Sequence, residues 1–351
     1  MIGDKIKVIV VDDSASLRAV LTEIINSDSR LRVVAQAMDP YEARDLIKTH
    51  KPDVITLDIE MPKMNGIAFL KNLMRLRPLP VVMISTLTQQ GAPTTLEALE
   101  CGAVDFFGKP QNQNDAALEQ YRVQINEKIY WASRANVHAQ RLNKPESKPK
   151  RISVDSKGKG VKEGFLCVIG ASTGGTEAIK SVIQALPADA PPIVIAQHIP
   201  DVFSASFARR LDDLSAMKVH EAAHNQMIEL GNVYIAPGHS HLRVKRQGRN
   251  YVCKLDQTEP VNRHRPSVEV LMDSVLSAAG EKALGVILTG MGKDGAEAML
   301  RMKQAGCTTV AQDKESSVVW GMPGSTVEMG GATKVLPLDK ISWFILSCAF
   351  S

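Results

Sequence analysis

Residues 165–180 read "FLCVIGASTGGTEAIK". An apolar run gives way to small residues, and a helix-like pattern follows. That is the strand, tight turn and helix of an α/β unit. Gly170 and Gly174 bracket Ser172 as G-x-S-x-G. Such a loop has two chemical readings. The N–H groups at a new helix N-terminus can hold a phosphate. They can equally stabilise an oxyanion beside a serine that a strained turn presents as a nucleophile. The stretch alone leaves both open.

Toward the C-terminus the same rhythm continues. Strand candidates are "FLCVIG", "PIVIAQ", "NVYIA", "GVILT" and "TTVAQ". Helix candidates are "TEAIKSVIQAL", "FSASFARRL", "VEVLMDSVLSAA" and "DGAEAMLRMKQAG". A serine needs a base to take its proton. Of the eight histidines, His198 directly follows "PIVIAQ". Asp294 follows "GVILT" within the Gly-rich "TGMGKDGAE". Three strand ends thus deliver Ser, His and Asp to one rim of one sheet, as a nucleophile, base and orienting carboxylate require. Taken singly, each has a plainer reading. Ser172 and Asp294 could cap helices, with Glu297 completing a capping box, and His198 could be a satisfied, partly buried histidine. The joint coincidence favours the hydrolase. His239 and His241 in "APGHSHL", and His264 in "RHRPS", rank lower as residues lining the cleft; His50 and His138 lie outside this domain or near its edge.

The order Ser–His–Asp differs from the Ser–Asp/Glu–His order of α/β-hydrolases. A dinucleotide site is disfavoured too, because Ser172 occupies the second glycine of G-x-G-x-x-G and no acid ends "PIVIAQH".

Toward the N-terminus lies "KPESKPKRISVDSKGKGVKE", residues 144–163, without aromatics and with almost no large apolar residues. It predicts a flexible linker. Its seven Lys and Arg against three acids account for the whole formal charge of +4 in the 351-residue chain. The basic excess therefore lies off any folded face, which argues against nucleic-acid binding. No apolar run is long enough to span a bilayer. The acids just after the first apolar run argue against a signal peptide. Five scattered cysteines, with no CxxC pair, fit a reducing cytosol and buried packing roles.

The first third alternates again: "KVIVVDD", "SLRAVLTEIINS", "RVVAQA", "PYEARDLIKTH", "DVITLD", "GIAFLKNLMRL", "PVVMIS", "TLEALECGA" and "VDFFGKP". Continuous apolar strands between helices predict a parallel sheet covered on both faces. A last helix carries Leu118, Tyr121, Ile125 and Ile129 at helical spacing. Asp12, Asp13 and Asp58 stand at strand ends, with Ser85 and Lys109 at two more. Ligands bind at that edge of open parallel sheets. Three carboxylates gathered there repel unless a cation shares them, and an all-oxygen set suits Mg²⁺ beside a phosphoryl group.

"VVDDS", "TLDIEMPKMNG", "MIS" and "GKP" resemble the receiver domain of two-component response regulators. The resemblance implies that Asp58 accepts a phosphoryl group from a histidine kinase. Asp12, Asp13, Asp58 and the Glu60 backbone carbonyl would bind Mg²⁺, Ser85 would contact the phosphoryl group, and Lys109 would pair with it. Asn65 stands where the family commonly has Asp, as a turn residue; Phe106 fits the family's mobile aromatic position and equally a buried core Phe. In the second domain "GASTGG", "QHIP", "YIAPG", "RPSVEVLMDS", "LTGMGKDGA" and "GMPG" resemble the chemotaxis protein-glutamate methylesterases. The expected fold class is α/β, with a flavodoxin-like receiver at 4–135, a linker at 136–163 and a doubly wound, Rossmann-like esterase domain at 164–351. The implied activity is hydrolysis of glutamyl γ-methyl esters, and deamidation of selected glutamines, on cytoplasmic helices of chemoreceptors. Ser172, His198 and Asp294 would be catalytic. The backbone N–H groups of Met291 and Thr173 would form the oxyanion hole. Ester hydrolysis itself would need no cofactor. A cytoplasmic monomer is expected, without membrane insertion, in which the unphosphorylated receiver restrains the esterase.

Overall fold

The computed structural model describes residues 4–61, 64–86, 91–110, 115–137 and 160–350. Most of the expected linker, residues 138–159, lies outside them, as does His138. The chain divides into two units, Met1–Arg141 and Leu142–Ser351.

The first unit alternates β1 (Ile6–Val11), α1 (Ala15–Asn26), β2 (Leu31–Ala37), α2 (Pro40–His50), β3 (Val54–Asp58), α3 (Gly66–Leu76), β4 (Val81–Ser85), α4 (Ala92–Glu100), β5 (Asp105–Gly108) and α5 (Asp115–Ala132). Its sheet order is β2-β1-β3-β4-β5, every pair parallel. This is the flavodoxin-like order. β3 and β4 are buried along their whole length, as strands covered on both faces must be. The first three helices start on capping side chains. Ser14 caps α1, Asp39 caps α2 and Asn65 caps α3, each side chain accepting a first-turn N–H.

The second unit contains β6 (Leu166–Ala171), α6 (Gly175–Gln184), β7 (Ile193–Gln197), α7 (Asp201–Leu214), β8 (Lys218–Glu221), β9 (Met227–Ile228), β10 (Asn232–Ile235), β11 (His241–Gln247), β12 (Asn250–Asp256), α8 (Val268–Ala279), β13 (Ala283–Ile287), α9 (Ala296–Gln304), β14 (Thr308–Gln312), α10 (Met322–Glu328), β15 (Lys334–Leu336) and α11 (Leu338–Ala349). Its main sheet runs β15-β14-β13-β6-β7-β10-β8, all parallel. β6 is the first strand of the unit and sits centrally. Later strands are added on one side, and then from β13 onward on the other. The switch point of this doubly wound sheet therefore lies beside β6, where such folds form ligand crevices.

The antiparallel hairpin β11–β12, with β9 beside β12, was not among the strand candidates. "HLRVKRQGRNYVCKLD" is rich in Lys and Arg, which conceals its alternation. Gly248, at φ 62°, makes the two-residue turn. The hairpin buries Leu242, Val244, Tyr251 and Cys253 in the same core as Val268, Leu271 and Met272 of α8. Each such large side chain contributes roughly 1.5–3 kcal/mol on full burial. The core thereby fixes the N-terminal end of α8, on which the site depends.

Candidate functional site

Ser172 stands one residue beyond β6, and its N–H donates to the Thr289 carbonyl (3.1 Å). The Gly175 N–H donates back to the Ser172 carbonyl at 2.7 Å. Gly174 takes φ +74°, and a Cβ there would lie 2.7 Å from Val318 Cβ. The turn needs glycine on both counts.

His198 stands one residue beyond β7, and its N–H donates to the Ala171 carbonyl at 3.1 Å. The Gln197 side-chain amide donates to the carbonyls of Ser172 (2.9 Å) and His198 (3.2 Å), tying the two strand ends together. Nδ1 of His198 lies 3.2 Å from Ser172 Oγ, and Nε2 lies 2.9 Å from Asp294 Oδ2. An ionised Asp294 can only accept. Nε2 therefore carries the proton, and Nδ1 offers its lone pair to the serine hydroxyl. The imidazole is turned opposite to the Ser-His-Asp arrangement in which Nε2 faces the serine. Both ring nitrogens can serve, so the chemistry is unchanged.

Asp294 does not cap the helix that follows it, and Glu297 completes no capping box. Gly295 is the N-cap of α9, and no side chain caps that helix. Asp294 lies instead against the N-terminus of α8. Its Oδ2 accepts the Val268 N–H (2.7 Å); its Oδ1 accepts from Asn262 Nδ2 (2.8 Å), Ser267 Oγ (3.0 Å) and the Glu269 N–H (3.3 Å). The carboxylate is 3% exposed. Burial opposes its ionisation, but the bonds from His198, Asn262 and Val268 outweigh burial and hold its pKa well below the usual range.

A third loop closes on Ser172 from Thr289 to Gly292. A Cβ on Gly290 would fall 2.8 Å from Ser172 Cβ and 2.4 Å from Met322 Sδ. Only glycine permits that approach, and Met291 follows it in the loop. Among the described residues, no hydrogen bond takes the Met291 N–H. Thr289 Oγ1 donates to the Thr173 carbonyl (3.0 Å) and accepts the Val319 N–H (2.9 Å), which locks this loop to the serine turn.

The lower-ranked histidines divide. His241 does not line the cleft: it is fully buried, accepts the Ser267 N–H on Nδ1 (3.1 Å) and places Nε2 3.1 Å from the Glu259 carbonyl. It thus supports the residue that supports Asp294. His264 stacks on His198 with ring centroids 3.6 Å apart and planes at 11°. Asn262 and Ser267 are not announced by the sequence. They belong to no strand end, and only the fold carries them to Asp294; the Ser267–Glu269–Val270 run of a helix start was their one local signal.

In the first unit, Asp12, Asp13 and Asp58 present carboxylate oxygens all within 4.8 Å of one another. Lys109 Nζ lies 2.8 Å from Asp58 Oδ2 and 3.1 Å from Asp12 Oδ2. Burial pushes the Asp58 pKa up to about 6; Lys109 pulls it down and Asp12 pushes it up. Ser85 Oγ is buried, without a hydrogen-bond partner among the described residues. A Cβ on Gly66 would fall 2.0 Å from the Asp58 carbonyl oxygen, so glycine lets α3 begin against the end of β3. Asn65 is a capping residue, its Oδ1 accepting the Ile67 N–H at 2.7 Å. Phe106 is buried. An all-carboxylate cluster with an open hydroxyl beside it fits a small hard cation and a phosphoryl group.

Residues 167–345 match the family model described as CheB methylesterase, and residues 8–119 match the response regulator receiver domain. The chain belongs to the CheB methylesterase family. A protein-glutamate methylesterase/protein-glutamine glutaminase of Saccharophagus degradans is 59% identical to it over 98% of this chain and 99% of the relative. One from Vibrio vulnificus is 54% identical, also over 98% and 99%. The crystal structure of the Thermotoga maritima CheB methylesterase catalytic domain is 42% identical, covers 53% of this chain and 99% of that one, and superposes with a TM-score of 0.52. A CheB methylesterase is an ester hydrolase, and here it is joined to a receiver domain.

Proposed function

We propose that Ser172, His198 and Asp294 form the catalytic triad of a protein-glutamate methylesterase and protein-glutamine glutaminase acting on chemoreceptors. The observation that carries this reading is the hydrogen-bond chain from Ser172 Oγ through the His198 ring to Asp294. Ser172 Oγ attacks the γ-carbonyl of a methylated glutamate while His198 Nδ1 takes its proton. The oxyanion is held by the backbone N–H groups of Met291 and Thr173. Such a donor is commonly worth about 10²–10³ in rate. The imidazolium returns its proton to the leaving methoxide, and methanol departs. Water, deprotonated by the same Nδ1, then cleaves the glutamyl-serine ester to give glutamate and free Ser172. With a glutamine side chain, ammonia leaves in place of methanol. Asp294 holds the tautomer and stabilises the imidazolium.

The receiver, residues 4–135, passes a phosphorylation signal through a linker at 136–163 to the esterase domain at 164–351. Asp58 is the acceptor, and a chemotaxis histidine kinase is the donor. Asp12, Asp13, Asp58 and the Glu60 carbonyl would hold Mg²⁺, which when bound neutralises charge on the transferring phosphoryl group. Ser85 and Lys109 contact that group. Phosphorylation adds charge beside Lys109 and relieves the receiver's restraint on the esterase. No helix among the described residues is long and apolar enough to cross a membrane. A cytoplasmic monomer working on the cytoplasmic helices of receptors, for chemotactic adaptation, fits this chemistry.

A fluorophosphonate probe tests the reading of the site. The parent should carry one adduct, mapped by peptide mass spectrometry to Ser172. An unlabelled Ser172 in active enzyme would contradict it.

A further inference from the structure

Residues 261–265, "VNRHR", form one tight turn that touches two members of the proposed triad. The Val261 N–H donates to the His264 carbonyl (3.1 Å), and the His264 N–H donates to the Val261 carbonyl (2.9 Å). The residues between them, Asn262 and Arg263, take φ 53° and 66°. Two successive left-handed residues define a type I′ turn, and neither is glycine. Non-glycine residues persist there when their surroundings over-determine them. The surroundings here are the triad. Asn262 Nδ2 donates to Asp294 Oδ1 at 2.8 Å, and the His264 ring lies flat on the His198 ring at 3.6 Å.

From this juxtaposition we infer that His264 is a positioning residue for the reaction, whose ring holds the plane of His198 and stabilises its imidazolium form. This rests on the triad reading above. His198 has a hydrogen-bond partner on each nitrogen, but those two bonds still allow the ring to rock about the line joining them. A parallel ring against one face removes that freedom. The same face matters electrostatically. When His198 takes the serine proton it becomes a cation, and the face of an aromatic ring attracts a cation. The stack therefore strengthens as the transition state forms, as catalysis requires. Charged and titratable groups about His264 among the described residues include His198 on its face, Asp294, bonded to the same turn through Asn262, and the exposed Arg263 and Arg265 beside it in the chain.

The test uses the full chain with methylated receptor as substrate, comparing the parent with His264→Ala and His264→Phe. Circular dichroism and the unfolding midpoint check that both variants fold. His264→Ala should lower kcat by about 3–10-fold with KM within about twofold, the size expected of a partly desolvated cation–π contact. Without the stack, the His198 imidazolium loses a partner, so the acid limb of the kcat/KM profile should move to lower pH. His264→Phe keeps an aromatic face and should restore both kcat and the limb. An unmoved acid limb with near-parent kcat in His264→Ala would overturn the inference. So would a loss that phenylalanine does not rescue. Fluorophosphonate labelling separates the two levels. If the parent labels at Ser172 and His264→Ala behaves as parent, only the role of His264 fails; if active parent does not label there, the triad reading fails first.

Discussion

The Asp294 carboxylate and the Val268 N–H meet at 2.7 Å, which joins the proposed triad carboxylate to the first turn of α8. A buried carboxylate at a helix N-terminus has its charge balanced before any substrate arrives. Asp294 thus orients His198 and anchors α8 with one group.

That double role predicts two losses in Asp294→Asn. An amide offers only one acceptor oxygen, and it no longer favours the proton on Nε2. The kcat for methanol release should fall by about 10³–10⁴, as when a triad carboxylate becomes an amide. The unfolding midpoint should also fall at pH 7, because a buried charge-assisted hydrogen bond contributes about 1.5–3 kcal/mol. The Asp294 pKa is lowered in the folded state, so its contribution is present above the ordinary aspartate value and is lost as pH falls below it. The difference in midpoint between parent and variant should therefore shrink below about pH 4.

Gly290 predicts a steric result. In Gly290→Ala the new methyl meets Ser172 Cβ and Met322 Sδ at impossible distances, and the loop bearing Met291 must retreat. A displacement near 1 Å at a reacting centre can cost about 10² in rate. The expected outcome in a steady-state assay is a loss of kcat of that order. Activity within twofold of the parent would show that the loop tolerates the retreat.

Asp58 predicts an opposite trend in stability. Its pKa is raised to about 6, chiefly by burial. A group so raised contributes stability below its unfolded value and loses it as pH rises through the folded one. At pH 7.5 the ionised Asp58 therefore strains the receiver. Asp58→Asn should unfold at a higher temperature than the parent there, with the advantage narrowing toward pH 4. Calorimetry across pH reads this directly. Millimolar Mg²⁺ should stabilise the parent more than the variant.

Regulation predicts a fourth comparison. Acetyl phosphate with Mg²⁺ should accelerate methanol release by the parent and leave Asp58→Asn unchanged. Lys109→Ala should lose most of the response while keeping basal turnover. Equal acceleration in all three would place control outside the receiver carboxylates.

Much of this was legible in the sequence, for a physical reason. Strands buried on both faces are continuous apolar runs, and the residue after such a run stands at the functional rim. Ser172, His198, Asp58 and Lys109 each follow that rule, and Asp294 lies in the loop beyond β13. What escaped depends on tertiary meeting. The hairpin β11–β12 is masked by its outward Lys and Arg. α10, which begins "MPGS", is not among the helix candidates, yet Pro323 suits a first helical turn. Asn262, Ser267 and His241 act on Asp294 or through one another across 26 to 53 residues of chain, and no local pattern announces such partners. Taken alone, Asp294 reads as a cap for its own helix; its carboxylate in fact accepts first-turn N–H groups of α8 while facing His198.

The most direct test is methanol release from methylated receptor by the parent and by Ser172→Ala. Among the described residues Ser172 Oγ bonds only to His198, so the alanine variant should fold with an unchanged midpoint. The account predicts that its methanol release falls by at least about 10³, to the level left by binding and the oxyanion hole. Release at near-parent rate by the folded variant would contradict it.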